Sequence, residues 1–136
     1  MIKITLTVLA LVVGAGVFFR LTTPTESPLE PESVSGWVRH VTDGDSLYIG
    51  RYKPQIRLWG VDAPEQGERG YQLAKDTLAK LVQGQHITCR KIDTDRYGRT
   101  VGRCFLQDGR EVNKMMIESG AAKEYLRFTK GFYGGV

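Results

Sequence analysis

The residues best suited to chemistry lie in three short polar segments: 43–46 (DGDS), 57–65 (RLWGVDAPE) and 95–99 (DRYGR). Each segment taken singly is typical of a solvated turn or a strand edge. Together they supply carboxylates, which are the hard oxygen ligands of Ca²⁺ and Mg²⁺, and arginines, whose planar guanidinium can hold a phosphate at two points. A metal ion, a carboxylate that orients water and two arginines are the components of metal-assisted phosphodiester hydrolysis.

The composition bounds the class of protein. The chain has 136 residues, enough for one domain of about 100 residues with extensions, and 19 basic against 15 acidic residues. A charged fraction of 25% and a hydrophobic fraction of 41% exclude a fibrous, collagenous or wholly disordered chain. A single apolar run excludes a polytopic membrane protein, and two cysteines exclude a cysteine-only zinc site. The net charge of +4 permits an anionic partner without requiring one.

The N-terminal region predicts export. Residues 2–19 are apolar apart from Lys3 and two threonines, which is typical of a secretory signal. Small residues suit cleavage after Ala15, but the run continues and is near the lower length limit of a membrane-spanning helix, so an uncleaved anchor is the alternative. We therefore assign residues 1–20 to a signal peptide or membrane anchor and expect a secreted, periplasmic or membrane-tethered protein. Residues 21–35 contain three prolines and three glutamates and predict a disordered linker.

The folded domain is assigned to residues 36–136 and begins with strands. Alternation in the third strand places Ile56 and Leu58 on one face and Arg57, Trp59 and Val61 on the other. The first three strands indicate an antiparallel meander, and the whole pattern suits a small curled barrel of the oligonucleotide-binding type. The predicted strands span 37–41, 47–51, 55–61, 86–92 and 99–106, and the predicted helices 71–82 and 112–119. The first helix has one apolar face, formed by Tyr71, Ala74, Leu78, Leu81 and Val82.

The order DGDS, RLWGVDAPE, DRYGR resembles the staphylococcal nuclease-like (thermonuclease) family from about residue 37 to residue 125, and residues 112–113 with Gly120 beyond them resemble that family's second helix. The resemblance implies a mainly β fold, a five-stranded oligonucleotide-binding barrel with two packed helices. It implies a calcium-dependent endonuclease that hydrolyses DNA and RNA at the 5′ O–P bond and leaves 3′-phosphate ends. No small-molecule cofactor is implied, and we expect a monomer.

The resemblance also assigns the metal and water roles. Asp45 and Asp62 would bind Ca²⁺ through their carboxylates, and Ala63 through its backbone carbonyl. Asp43 would support the metal-binding loop. Glu65 would orient or deprotonate the attacking water.

The remaining assigned roles concern the phosphate. Arg57 would bind the scissile phosphate, and Arg99 would stabilise the transition state and the departing 5′ oxygen. Arg96 and Tyr97 would contact a phosphate or sugar, and Tyr125 resembles a substrate-facing tyrosine of the family.

The C-terminal tail departs from the family. The family ends with a charged third helix, for which the sixteen residues after Gly120 leave no room, so we expect that full helix to be lacking. Phe128, Phe132 and Tyr133 could stack on bases or cover the barrel, and covering is the more common role of such residues.

The two cysteines flank the predicted hairpin symmetrically. Cys89 and Cys104 are equidistant from the point between Arg96 and Tyr97 in the predicted loop, so they would face each other across an antiparallel pair at about 4.5 Å, within disulfide range. Export to an oxidising compartment would favour the disulfide. Two free thiols packed in the core are the alternative.

A non-catalytic barrel that binds single-stranded nucleic acid or a protein is the alternative function. The complete set of Asp45, Asp62 and Glu65 favours the enzyme, because three negative charges would repel a phosphate unless a metal ion were bound.

Overall fold

The computed structural model describes residues 30–134. The predicted signal or anchor at 2–19 lies outside the described residues. Within them, no helix is long and apolar enough to cross a membrane.

Residues 30–134 contain ten elements, and five of the strands form a closed barrel in the order β1-β2-β3-β6-β5. The barrel and the two packed helices confirm the predicted fold class. In chain order the elements are β1 Ser33–Asp43, β2 Ser46–Ile49, β3 Ile56–Leu58, β4 Val61–Asp62, α1 Tyr71–Val82, β5 His86–Thr94, β6 Thr100–Leu106, α2 Val112–Glu118, β7 Lys123–Glu124 and α3 Leu126–Thr129.

The barrel closes through one parallel pair. β1, β2 and β3 form the predicted antiparallel meander, and β5 and β6 form the predicted hairpin. β3 pairs in parallel with β6, with Leu58 opposite Gly102, and β1 pairs with β5. Because Gly102 has no side chain, β5 can lie close to it; a Cβ there would lie 2.7 Å from the Arg90 carbonyl oxygen.

The third predicted strand, 55–61, is interrupted. β3 ends at Leu58, and Gly60 adopts a φ of 73° that turns the chain before β4. Val61 is consequently fully buried and pairs with Glu124 of β7. The prediction that Val61 shares the face of Arg57 was wrong, because simple alternation does not continue through a left-handed glycine.

The start of the domain differs from the predicted boundary at residue 36. β1 begins at Ser33, which lies opposite Arg90 of β5. Residues 33–35 therefore belong to the barrel, since pairing with β5 fixes a segment that the proline and glutamate content had assigned to the linker.

The core lies inside the barrel and beneath the two longer helices. α1 buries Ala74, Leu78 and Val82, as its predicted apolar face requires, and α2 buries Val112 and Met116 against the same core. α3 is a single turn of four residues.

A disulfide joins Cys89 to Cys104, which are paired in register across β5 and β6 and are fully buried, so the predicted bridge is confirmed. Asn113 of α2 lies beside it. Its Oδ1 accepts the Cys104 backbone N–H at 2.9 Å, and its Nδ2 donates to the carbonyl oxygens of Trp59 at 2.9 Å and Gly102 at 3.1 Å. One buried amide thus ties α2 to the strands that carry the candidate site.

Candidate active site

The turn between β1 and β2 carries a buried carboxylate. Asp45 is only 6% exposed, and its carboxylate accepts hydrogen bonds from Ser46 Oγ at 3.0 Å and from the Ala63 backbone N–H at 3.3 Å. Asp43 supports the same turn, because its Oδ1 accepts the Asp45 backbone N–H at 3.2 Å. The predicted metal-loop segment and the Ala63 backbone are therefore in direct contact.

Gly44 permits this contact. A Cβ at Gly44 would lie 2.6 Å from the Ala74 Cβ and 2.8 Å from the Ala63 Cβ. The glycine of the DGDS segment is thus required by close packing between the turn, α1 and the chain that leaves β4.

The environment of Asp45 favours a nearby positive charge. The pKa of Asp45 is raised from 3.8 to about 7 in total: burial raises it most, the charge of Arg57 lowers it, and the adjacent Asp43 raises it. Arg57 Nη2 lies 3.2 Å from Asp45 Oδ2. A cation beside this carboxylate would stabilise its ionised form.

Arg57 is held in place by the interruption after β3. Its Nη1 donates to the carbonyl oxygens of Leu58 at 2.9 Å and Val61 at 2.8 Å, while Nη2 pairs with Asp45. The turn at Gly60 brings those carbonyls within reach of one guanidinium group. The positioning of Arg57 thus depends on the strand interruption.

The other proposed metal ligands lie on the segment that leaves β4. Asp62 is exposed, Ala63 is buried, and both line a shallow groove of about 320 Å³ beside the start of α1. Residues 30–134 contain no cluster of three or more His, Cys, Asp or Glu side chains that could hold a metal ion. Two carboxylates and a backbone carbonyl nevertheless fit a hard divalent cation by donor type, and the buried Asp45 carboxylate would be stabilised by one.

A cavity of about 620 Å³ opens beside the barrel, and its wall contains all the residues predicted to act on the phosphate. Leu58, Val101 and Ile92 supply part of its apolar lining. The predicted residues on this wall are Arg57, Glu65, Arg96, Tyr97, Arg99 and Tyr125.

The loop between β5 and β6 presents Arg99. Arg99 Nε donates to Asp95 Oδ2 at 2.7 Å, and Asp95 Oδ1 accepts the backbone N–H groups of Tyr97 and Arg99, each at 3.0 Å. Burial raises the pKa of Asp95, but these hydrogen bonds together outweigh burial and lower it. The salt bridge uses one of the five N–H donors of Arg99. Asp95 is a positioning residue that sequence reasoning did not single out, although its spacing of four residues from Arg99 in a short loop was visible.

Tyr97 lies between the two arginines of this loop. Arg96 lies 4.8 Å and Arg99 5.5 Å from the centre of the Tyr97 ring, and Arg96 Nη2 donates to the Tyr97 hydroxyl at 2.7 Å. This arrangement gathers two positive charges around an exposed aromatic ring, which suits a sugar–phosphate ligand.

The aromatic side chains of the C-terminal tail lie in two different surroundings. Tyr125 and Phe128 make an edge-to-face pair at 4.7 Å on the cavity wall, and Phe128 remains 59% exposed. Phe132 and Tyr133 pack on Trp59 instead, and the Tyr133 hydroxyl donates to Glu111. Tyr133 thus packs against the core, Phe132 contacts Trp59 but remains 55% exposed, and Phe128 contributes to the cavity.

The fold and cavity together define a closed oligonucleotide-binding barrel with a cleft rich in arginine and aromatic residues. Residues 55–132 match the family model described as "Staphylococcal nuclease homologue". The chain belongs to that family.

Three curated relatives each match about two thirds or more of this chain. An uncharacterized endonuclease of Escherichia coli O157:H7 is 34% identical over 103 residues, covering 74% of this chain and 67% of that protein. The micrococcal nuclease of Shigella flexneri is 32% identical over 105 residues, covering 70% and 60%. The succinoglycan biosynthesis protein ExoI of Rhizobium meliloti strain 1021 is 38% identical over 104 residues, covering 68% and 53%.

Proposed function

We propose that the protein is a calcium-dependent nuclease that hydrolyses internal phosphodiester bonds of DNA and RNA and leaves 3′-phosphate ends. The observation that carries the proposal is the single cavity wall shared by Arg57, Glu65 and Arg99. Family membership and the nuclease names of two relatives support the same activity.

The cavity residues would have different roles in hydrolysis. Arg57 and Arg99 would bind the phosphate and stabilise the negative charge that grows on its oxygens. Glu65 would accept a hydrogen bond from water and aim its oxygen at phosphorus. The water oxygen then bonds to phosphorus and gives up one proton to Glu65 or to solvent, the bond from phosphorus to the 5′ oxygen breaks, and the departing oxygen takes up one proton from solvent. Arg99, oriented by Asp95, would stabilise the departing oxygen.

Asp45, Asp62 and the Ala63 carbonyl would hold Ca²⁺. A bound Ca²⁺ would supply positive charge for the phosphate oxygens and increase the acidity of water. The raised pKa of Asp45 and the contact between Asp45 and the Ala63 backbone support this assignment.

Digestion of a 5′-labelled single-stranded DNA and of the matching RNA tests the proposal. We expect internal cleavage in Ca²⁺ that stops when EGTA is added in excess. Product 3′ ends should resist polymerase extension until a phosphatase removes the phosphate. Binding of the labelled strand without cleavage in Ca²⁺, Mg²⁺ or Mn²⁺ would instead identify the non-catalytic binding module.

We also propose that the protein is exported, either released or held at a membrane by residues 2–19. The apolar sequence of that segment and the Cys89–Cys104 disulfide support export, since such bonds persist in oxidising compartments. Cell fractionation, with mass mapping of the cysteines under non-reducing conditions, tests both points. Cytosolic protein with two free thiols would contradict the proposal.

A further inference from the structure

A second cavity of about 580 Å³ adjoins the first. It shares the Glu65, Tyr97 and Arg99 wall with the first cavity, so these three residues form a ridge between two spaces. Its other lining residues are Tyr48, Pro54, Gln55 and Gly98.

The chemistry of the second cavity suits a nucleotide. The half-buried Tyr48 ring and Pro54 give an apolar wall for a base, and Gln55 supplies an amide whose Nε2 donates to Thr42 Oγ1 at 2.9 Å. The Arg39 guanidinium lies over the Tyr48 ring, 5.0 Å from its centre, and the His40 ring stacks against Tyr48 with 6.5 Å between the ring centres. Aromatic rings for the bases and cations for the phosphates are the features with which proteins bind single strands.

The position of the ridge indicates which part of a bound strand each cavity would hold. Glu65 and Arg99 are the groups proposed to act on water and on the departing oxygen, so the scissile phosphate would lie at the ridge. A nucleic acid strand continues on both sides of any internal phosphate. Tyr125 and Phe128 line the first cavity on one side, and Tyr48 lines the second cavity on the other.

We propose that the second cavity is a nucleotide-binding subsite that holds the nucleotide across the scissile phosphate from the one contacted by Tyr125 and Phe128, with Tyr48 as its base-contacting residue. This inference rests on the proposed nuclease function. It gives the enzyme contacts on both sides of the bond that breaks and therefore favours cleavage within a strand over cleavage at an end.

The test uses short single strands with one ordinary phosphodiester among phosphorothioate linkages, and an abasic residue on one side or the other of that bond. For the wild-type protein we expect kcat/KM to fall about tenfold when either base is removed, the size typical of one base–aromatic contact. In Tyr48→Ala, kcat/KM should fall about tenfold on the intact strand. It should fall no further when the base on one particular side of the bond is removed. Phe128→Ala should show the same insensitivity for the opposite side.

Two variants control for ring removal and folding. Tyr48→Phe keeps the ring and should behave as wild type, whereas Trp37→Ala removes an exposed ring of the same sheet that contacts His86 and should leave every ratio unchanged. If Tyr48→Ala is unfolded by circular dichroism, Tyr48→Leu replaces it. The subsite would be overturned if kcat/KM of the Tyr48 variant fell equally on the intact and both abasic strands, or fell on none of them.

Binding separates this inference from the proposed activity. Fluorescence anisotropy of a labelled, fully phosphorothioate strand in EDTA measures affinity without cleavage. We expect Tyr48→Ala to weaken binding of the intact strand about tenfold and to bind the strand that is abasic on its side as the wild-type protein does. An inactive wild-type protein that still shows this pattern would refute the nuclease and retain the subsite. An active protein without the pattern would refute the subsite alone.

Discussion

Glu65 and Arg99 lie on one cavity wall but would act on different atoms, the attacking water and the departing oxygen. We expect Glu65→Gln and Arg99→Ala each to lower kcat by about 10²–10³, the usual effect of removing a group directed at developing charge. Single-turnover cleavage of labelled DNA in saturating Ca²⁺ measures the loss.

Arg110→Ala is the matched control, because Arg110 pairs with Asp108 on an exposed turn away from the cavity. Thermal unfolding should show that all three variants remain folded. A rate near that of the wild-type protein for either site variant would refute the role assigned to that residue.

The buried Asp45 carboxylate predicts a pH dependence of stability in the metal-free protein. Its pKa rises from 3.8 to about 7 on folding, chiefly through burial, so between these values the folded state keeps a proton that the unfolded state releases. The resulting stabilisation is complete below about pH 4 and is lost as the pH rises through about 7. Urea unfolding in EDTA should therefore give a free energy of unfolding that decreases over this interval, and Asp45→Asn should flatten the decrease.

Asp76→Asn provides the control for that pH profile. Asp76 lies on the exposed side of α1, where it accepts a hydrogen bond from Gln72. This variant removes one carboxylate elsewhere and should keep the wild-type decrease. An Asp45→Asn profile as steep as that of the wild-type protein would show that another group causes it.

At the scale of elements, the site depends on how closely the β1–β2 turn approaches α1. Gly44→Ala would place a Cβ 2.6 Å from the Ala74 Cβ, and we expect a loss of about 1–3 kcal/mol in the free energy of unfolding. The Gly44 φ lies outside the left-handed region, so the effect is steric. Thermal and urea unfolding measure it.

A second substitution tests the steric cause. Ala74→Gly removes the opposing Cβ and, by itself, costs about 1 kcal/mol as a glycine inside a helix. The loss in the double variant should be smaller than the sum of the two single losses, because the clash with the Ala74 Cβ is relieved while the contact with the Ala63 Cβ at 2.8 Å remains. Full additivity would show that the contact with Ala74 is not what excludes a side chain at Gly44.

At the scale of the molecule, charge is distributed unevenly. From residue 36 onward the chain has 17 basic and 12 acidic residues, yet the proposed chemistry uses acidic groups close to the phosphate. Basic residues outside the cavity, such as Lys53, Lys75 and Lys130, therefore bear on attraction of the nucleic acid rather than on the bond that breaks.

Salt dependence measures that contribution. For a single strand, log(kcat/KM) should fall linearly with log[salt], with a slope of about −0.7 for each phosphate contact. Lys53→Ala should make the slope shallower by about that amount and lose activity at low salt more than at high salt. A salt-independent loss would place Lys53 in a direct role.

Much of the fold and the site follows from local pattern. The 3.6-residue spacing predicted α1 and its buried face, and the symmetric positions of Cys89 and Cys104 predicted their bridge, because each depends on neighbours within one element or hairpin. The ordered polar segments likewise predicted the residues of the first cavity. The chemistry of these residues depends on their side-chain type, which the sequence specifies directly.

Other properties arise only when distant segments meet. Val61 is buried because, after the turn at Gly60, it pairs with Glu124 of β7, and Arg57 is held by Asp45 from the β1–β2 turn. The raised pKa of Asp45 needs the surroundings that α1 and the Ala63 segment provide. The second cavity exists because Tyr48 of β2 faces the loop that carries Arg99. The sequence alone determined which chemical groups are available; the tertiary structure decided their burial, partners and spacing, since these depend on contacts between residues far apart in the chain.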